Sequence, residues 1–227
     1  MNLFSYVLRY DDGAAPNPFW NYCTLVICKP VIRRTAKEGD WVIGTGSVNG
    51  RQNGELKDFQ DHLVYAMKIT RVMTLAEYDK WCAKNTPKKI PDMSSDDFRR
   101  RAGDCIYDFS SGKSPKTRNS VHSGFSPDRD LGGKNALVSD WFYYFGEKPV
   151  PIGKKYLELV KRNQGHKRIQ GPLAEEFIAW LEGKYTKNRV NVKPQMPLPP
   201  HGTKLKAHAK CSIKDDDCDN ETYVCVS

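Results

Sequence analysis

The chain has 227 residues, enough for one domain with an appendage, and its 39% hydrophobic and 11% aromatic content is sufficient for a core. No run approaches the ~18–20 apolar residues of a bilayer span, and the start MNLFSYVLRYDDG lacks the basic and apolar regions of a secretory signal, so a cytoplasmic protein is expected. The 36 basic residues against 27 acidic ones leave a formal charge of +9, which favours a polyanionic partner through counterion release.

Residues 3–10 alternate as a first strand and run into DDGAAPNPFWN, a loop dense in Gly, Pro, Asp and Asn. The apolar run YCTLVIC follows, with Cys23 and Cys28 read as small buried hydrophobes. VIRRTAKEG is then expected as a short helix or turn, and DWVIGTGS as a strand entering a glycine turn. VNGRQNGELKDFQD is an irregular insertion before a strand in HLVYAMKITRVM. TLAEYDKWCAK predicts a helix with Thr74 as N-cap and Glu77 three residues on. Residues 85–135 carry little pattern beyond a short helix at SSDDFRRRAG, and SSGKSPKTRNSVHSGFSPDRDLGGKN is too long for a mere connector. ALVSDWFYYFG reads as a strand, and KKYLELVKRN and PLAEEFIAWLEGKY as helices, the latter with Pro172 in its first turn.

From about residue 187 the character changes to a Pro-rich extension, basic through NRVNVKPQMPLPPHGTKLKAHAK and acidic afterwards. The expected organisation is one domain over residues 1–186 and an extension over 187–227. The fold class is α+β, a curved mixed or antiparallel sheet with peripheral helices. Seven cysteines, an odd number without a signal peptide, argue for reduced thiols. His208, Cys211, Cys218 and Cys225 have H-x2-C-x6-C-x6-C spacing, which fits no common zinc pattern closely, so no metal is expected.

Several segments together carry a resemblance: DDGAAPNPFWNYCTLVICKPVIRRTAKEGDWVIGTGS, LVYAMKITRVMTLAEY, AGDCIYDF, NSVHS, VSDWFYYFGEKPVPI, and GHK followed by PLAEEFIAWLE. In this order, over roughly residues 3–182, they resemble the second type of nucleotide-modification-associated domain. That resemblance implies work on modified DNA bases, and one branch of the family resembles glycosylases that excise glucosylated hydroxymethylcytosine from phage DNA. The tail past residue 187 and the insertion around residues 48–61 depart from the common pattern and leave the substrate open. The run KEGDWVIGTGS with LVYAMKITRV also resembles the strand pattern of PUA-like domains, which admits a PUA-like barrel and a non-catalytic reader of modified bases. A base-modifying transferase is the third reading, although no donor-binding motif is recognised.

Excising a base breaks the N-glycosidic bond through an oxocarbenium-like transition state, for which carboxylates and a donor to the leaving base are the natural tools. The base must first leave the stack for a pocket with aromatic walls. The loop DDGAAPNPFWNY supplies Asp11 as the carboxylate, Asn17 as a water- or base-orienting amide, and Phe19, Trp20 and Tyr22 as walls. Its Gly/Ala-rich turn ending in Asn-Pro resembles one branch of uracil-type glycosylases. An Asx-type turn accounts for the same residues without catalysis. Asp104, Tyr107, His122 and Asp130 form a second candidate cluster, with Asp130 the rival carboxylate.

The GTGS turn at 44–47 offers backbone N–H groups to a phosphate but lacks the lysine and spacing of a P-loop. Residues 154–170 hold six Lys or Arg against one Glu, and Lys161, Arg162, His166, Lys167 and Arg168, read at a helix end, are the candidate DNA contacts. The zinc-deaminase signature is missing. The expected partner is therefore double-stranded DNA carrying modified bases, as in a phage genome, with no cofactor, membrane or obligate protein partner called for.

Overall fold

The structure, a computed structural model, describes residues 1–112, 114–122 and 127–198 and the backbone of one further strand at Glu221–Cys225. In chain order the elements begin with β1 (Leu3–Leu8), β2 (Cys23–Leu25), α1 (Pro30–Thr35), β3 (Trp41–Gly46), β4 (Gly50–Gln52) and β5 (Glu55–Lys57). They continue with β6 (His62–Lys68), β7 (Arg71–Thr74), α2 (Leu75–Asn85), α3 (Phe98–Arg101), β8 (Tyr107–Asp108), β9 (Lys116–Thr117) and α4 (Pro127–Leu131). The last are β10 (Asn135–Ser139), β11 (Trp141–Tyr144), β12 (Val150–Pro151), β13 (His166–Gln170), α5 (Pro172–Lys184) and β14 (Glu221–Cys225). Among these described elements no helix is long and apolar enough to cross a membrane.

The α+β expectation holds. A seven-stranded mixed sheet runs β11-β6-β3-β1-β13-β14, with β12 beside β11 on the edge of β6. The β1–β3 and β13–β14 pairs are parallel and the other pairs antiparallel. A separate antiparallel sheet runs β2-β10-β7. The barrel is not formed: no sheet closes on itself among the described residues. The reason lies at two corners, because the apolar runs HLVYAMKITRVM and ALVSDWFYYFG are each two strands. The first leaves the large sheet after Lys68 and enters the small one at Arg71, and the second makes the reverse crossing at Asp140. Hydrogen bonding thus passes to a second layer instead of around a ring.

One face of the large sheet packs Leu3, Ile43 and Leu63 against Phe177 and Leu181 of α5. The other packs Phe4, Val42, Met67 and Phe142 against Leu25, Ile32 and Leu137, and the small sheet's far side packs Met73 and Val138 onto Tyr78 and Cys82 of α2. α2 opens on the expected capping box, with Glu77 N–H donating to Thr74 Oγ1 at 3.2 Å and Thr74 N–H to Glu77 Oε2 at 2.8 Å. Pro172 opens α5 as expected.

Three local expectations change. KKYLELVKRN makes only a 3₁₀ turn over Lys154–Leu159, whose two buried side chains, Tyr156 and Leu159, stand three residues apart on one side of a three-per-turn helix. GHKRIQ is strand β13, so the basic cluster does not lie at a helix end. Gly44 and Gly46 are strand residues rather than a phosphate turn. A Cβ on Gly44 would lie 2.3 Å from Tyr65 Cε1, and one on Gly46 would lie 2.4 Å from Phe59.

Candidate functional site

The register fixes which loops share an end of the large sheet. β1 and β3 run together, while β6 and β13 run against them. The ends at Leu8, Gly46, His62, Tyr144 and His166 therefore gather on one side. The β1–β2 loop, with the candidate residues Asp11 to Tyr22, leaves from that side. Residues 188–196 lie across it as a strap. Asn188 N–H donates to Phe142 O and its side chain accepts from Phe142 N–H, Glu147 N–H donates to Lys193 O, and Met196 N–H donates to Asp11 O at 2.8 Å.

Asp11 is fully buried in this arrangement. Its Oδ2 accepts from Tyr144 Oη at 2.7 Å and its Oδ1 from Gly13 N–H at 3.2 Å. Burial is the largest influence and pushes the carboxyl up to about 7, with Asp12 adding to the rise and the Tyr144 and Gly13 hydrogen bonds opposing it. Tyr144, raised by burial and by Asp11 beside it, keeps its proton and donates. Next to this pair Tyr6 and Tyr65 share a hydrogen bond of 2.9 Å between hydroxyls, and burial holds the Tyr6 hydroxyl well above the usual phenol range.

Asp130 is the centre of a second group. Its Oδ2 lies 2.7 Å from His122 Nε2 and accepts from Tyr107 Oη at 3.3 Å, and its Oδ1 accepts from Cys28 N–H at 2.7 Å. The buried Arg33 donates to the main-chain carbonyls of Cys28, Asn135 and Asp130, and its Nη2 lies 3.7 Å from Asp130 Oδ1. Burial alone would raise the Asp130 carboxyl. His122, Arg33 and the Cys28 N–H together outweigh it and hold the group below the usual carboxylate range. The Cys28 thiol is pushed up to about 12 by burial and then by Asp130. Cys28 and Lys29 both adopt left-handed backbone, φ 59° and 44°, a conformation that non-glycine residues hold only where the surroundings impose it.

Asn17 and Asp104 come together elsewhere, in a buried polar network. Lys89 Nζ donates to Asn17 Oδ1 at 2.7 Å and to Thr24 Oγ1 at 2.8 Å. Asp104 accepts from Thr24 Oγ1 at 2.5 Å and from Tyr78 Oη at 2.8 Å. The Asn17 amide nitrogen donates to Ala102 O at 2.9 Å. Asn17 is thus fully engaged in anchoring the loop to the segment after α2.

Phe19 is buried against Gly13 and Phe98, Tyr22 meets Trp81 edge-on, and Trp20 sits between Lys88 and Arg99, each 4.8 Å from its ring centroid. Trp20 lines an open groove of about 940 Å³ with Lys88, Arg99, Asn188 and Lys193.

On the basic segment, Lys161 is buried, and its charge and that of Arg162 act on the Lys167 ammonium, which donates to Glu158 O at 2.9 Å. Arg162 pairs with Asp61 at 3.0 Å. His166 is buried against Phe4, and Arg168 donates to Asn2 Oδ1 at 3.1 Å. His208, Cys211 and Cys218 lie outside the described residues, and of Cys225 only the backbone is described.

Tyr6, Tyr65, Tyr144, Cys28, Arg33 and Lys89 escape sequence reasoning. The tyrosines stand in ordinary apolar strands, and Cys28 has the local context of a core residue.

Residues 1–198 match the family model described as nucleotide modification associated domain 2, and the chain belongs to that family. No curated protein and no solved structure matches it.

Proposed function

We propose that the chain is a DNA glycosylase that excises a hypermodified cytosine, glucosylated hydroxymethylcytosine, from phage DNA and leaves abasic sites. The observation that carries this reading is the pair of carboxyls with divergent acidities. Asp11 is held near 7 by burial beside Tyr144, and Asp130 is kept ionised by His122 and Arg33. Environments that push two carboxyls apart assign them acid and anion roles at neutral pH. In this reading Asp130 stabilises the cationic sugar as the C1′–N1 bond breaks, and water adds at C1′. Asp11, oriented by the hydrogen bond from Tyr144, passes its proton to the departing base, which takes the bonding pair, and the proton lost by the added water restores the Asp11 carboxyl. Asn17 positions the loop, His122 and Tyr107 orient Asp130, and Trp20 and its groove receive neighbouring nucleotides. Family membership, which associates the chain with nucleotide modification, supports a modified substrate.

The test is to incubate the purified chain, without any sugar or nucleotide donor, with DNA carrying glucosylated hydroxymethylcytosine and with unmodified DNA. Abasic sites are expected in the modified DNA alone, and Asp11→Asn is expected to lower the rate by about 10²–10⁴-fold. One observation favours a reader instead: Asp11 is wholly covered, and the strap touches its main chain. Selective binding without base release, unchanged in Asp11→Asn and Asp130→Asn, would establish the reader and overturn the enzyme.

A further inference from the structure

We propose that Cys28, His122 and Asp130 bind a divalent transition-metal ion of the zinc type. The three residues come from separate segments: the turn before α1, the loop after β9, and α4. Their donor atoms nevertheless all lie within 4.8 Å of one another, with Cys28 and His122 half-buried and Asp130 buried. A thiol sulfur, an imidazole nitrogen and a carboxylate oxygen form a donor set that suits zinc and excludes magnesium or calcium, which take oxygen.

Ligand atoms at ~2.0–2.3 Å from a tetrahedral zinc are about 3.5 Å apart. The widest donor separation therefore has to close by about 1 Å and the 2.7 Å His122–Asp130 contact to open by somewhat less, both within reach of side-chain rotation. The surroundings already orient the carboxylate. Cys28 N–H and Arg33 occupy the Oδ1 side and Tyr107 Oη approaches Oδ2, as outer partners do around metal-binding carboxylates. Arg33 opposes a cation, but it is held by three carbonyls on the Oδ1 side. A coordinated thiol is deprotonated outright, so with Asp130 two negative charges face the ion. Three protein ligands leave a fourth position for water, the arrangement of catalytic rather than structural zinc, and in the metal-bound chain it is that water, not the bare Asp130 carboxylate of the glycosylase reading, that faces the sugar.

Cobalt(II) added to the EDTA-stripped full chain tests this without DNA. One ion per chain is expected, with a near-ultraviolet thiolate-to-cobalt band that Cys28→Ser abolishes. Cys28→Ser and His122→Ala are each expected to weaken competing zinc on the order of 100-fold or more, their far-ultraviolet circular dichroism reporting that they fold. Cys211→Ser/Cys218→Ser is expected to keep the ion. Binding lost in that tail variant and kept in Cys28→Ser would overturn the assignment, as would no binding at micromolar metal. A chain that binds the ion and excises no base leaves this site standing and overturns only the glycosylase reading.

Discussion

Asp11 illustrates how a single side chain is set by what encloses it. In the unfolded chain its carboxyl titrates at ~3.9, whereas burial in the folded chain moves it to about 7. A group raised in this way contributes stability that is fully present below pH ~4 and is lost as the pH climbs through 7, on the order of 4 kcal/mol in all. Asp11→Asn has no proton to lose, so its stability relative to the wild type is expected to improve by a few kcal/mol between pH 5 and pH 8. Urea unfolding of both chains at the two pH values measures this, and a pH-independent difference would show that Asp11 is ionised throughout. Asp11 was legible in the sequence because Asp, Gly and Pro crowd a loop between two apolar runs. Its partner Tyr144 was not, because a tyrosine 133 residues away in a strand carries no mark of what it will meet. Lys89 is less legible still: a lysine among KNTPKK reads as solvated, yet it lies fully buried, its charge answered by Asn17, Thr24 and the neighbouring Asp104.

At the scale of the element, the tyrosines owe their placement to a backbone irregularity. The pairing of β3 with β6 slips between Gly44 and Thr45, so that Tyr65 stands opposite Gly44 and Leu63 opposite Thr45. The extra residue breaks the strict alternation of β6, and Val64 and Tyr65 both reach the same core while Leu63 and Ala66 serve the other. Gly44 leaves room for the Tyr65 ring to extend toward Tyr6. Gly44→Ala is expected to destabilise the chain by about 1–3 kcal/mol, as overpacking a filled core does, and to lower base release further by displacing Tyr65 and Tyr6. Urea midpoints and single-turnover release at saturating DNA measure the two effects; an unchanged midpoint would mean that the bulge relaxes freely. Periodicity located β1, β3, α2 and α5 because each buries a single pattern throughout. It merged β6 with β7 and β10 with β11 because a continuous apolar run fits one long strand as well as two strands in different sheets. What separates them, the turn at Thr70 and Asp140 where Asp140 N–H meets Thr70 Oγ1 at 3.1 Å, is a tertiary contact.

Across the whole molecule, sheet polarity brings the candidate chemistry and part of the positive charge to one side. Lys161 and Arg162 precede β13, whose first residue His166 pairs with Tyr6, so they lie at the same end of the sheet as the loop that bears Asp11. Lys167 follows on the opposite face from His166 and is lowered by burial and by Lys161 and Arg162 nearby, a crowding of like charges that an incoming phosphate would relieve. Arg168 belongs to a different environment, over the Phe4 ring and against Asn2 toward the far end of the strand. If DNA enters with its base directed at Asp11, Arg162 and Lys167 meet the backbone, the buried Lys161 adds its charge from beneath them, and Arg168 takes no part. The combined variant Lys161→Gln, Arg162→Gln, Lys167→Gln is therefore expected to weaken binding to modified and unmodified duplexes alike. Its log K against log salt slope should be shallower by roughly 0.9 for each phosphate that no longer meets a cation. Arg168→Gln should leave the slope unchanged, and base release from saturating modified DNA should survive the triple change, since none of the three touches either carboxyl. An unaltered slope in the triple variant would move the duplex off this end of the sheet, and with it the route by which a base reaches Asp11.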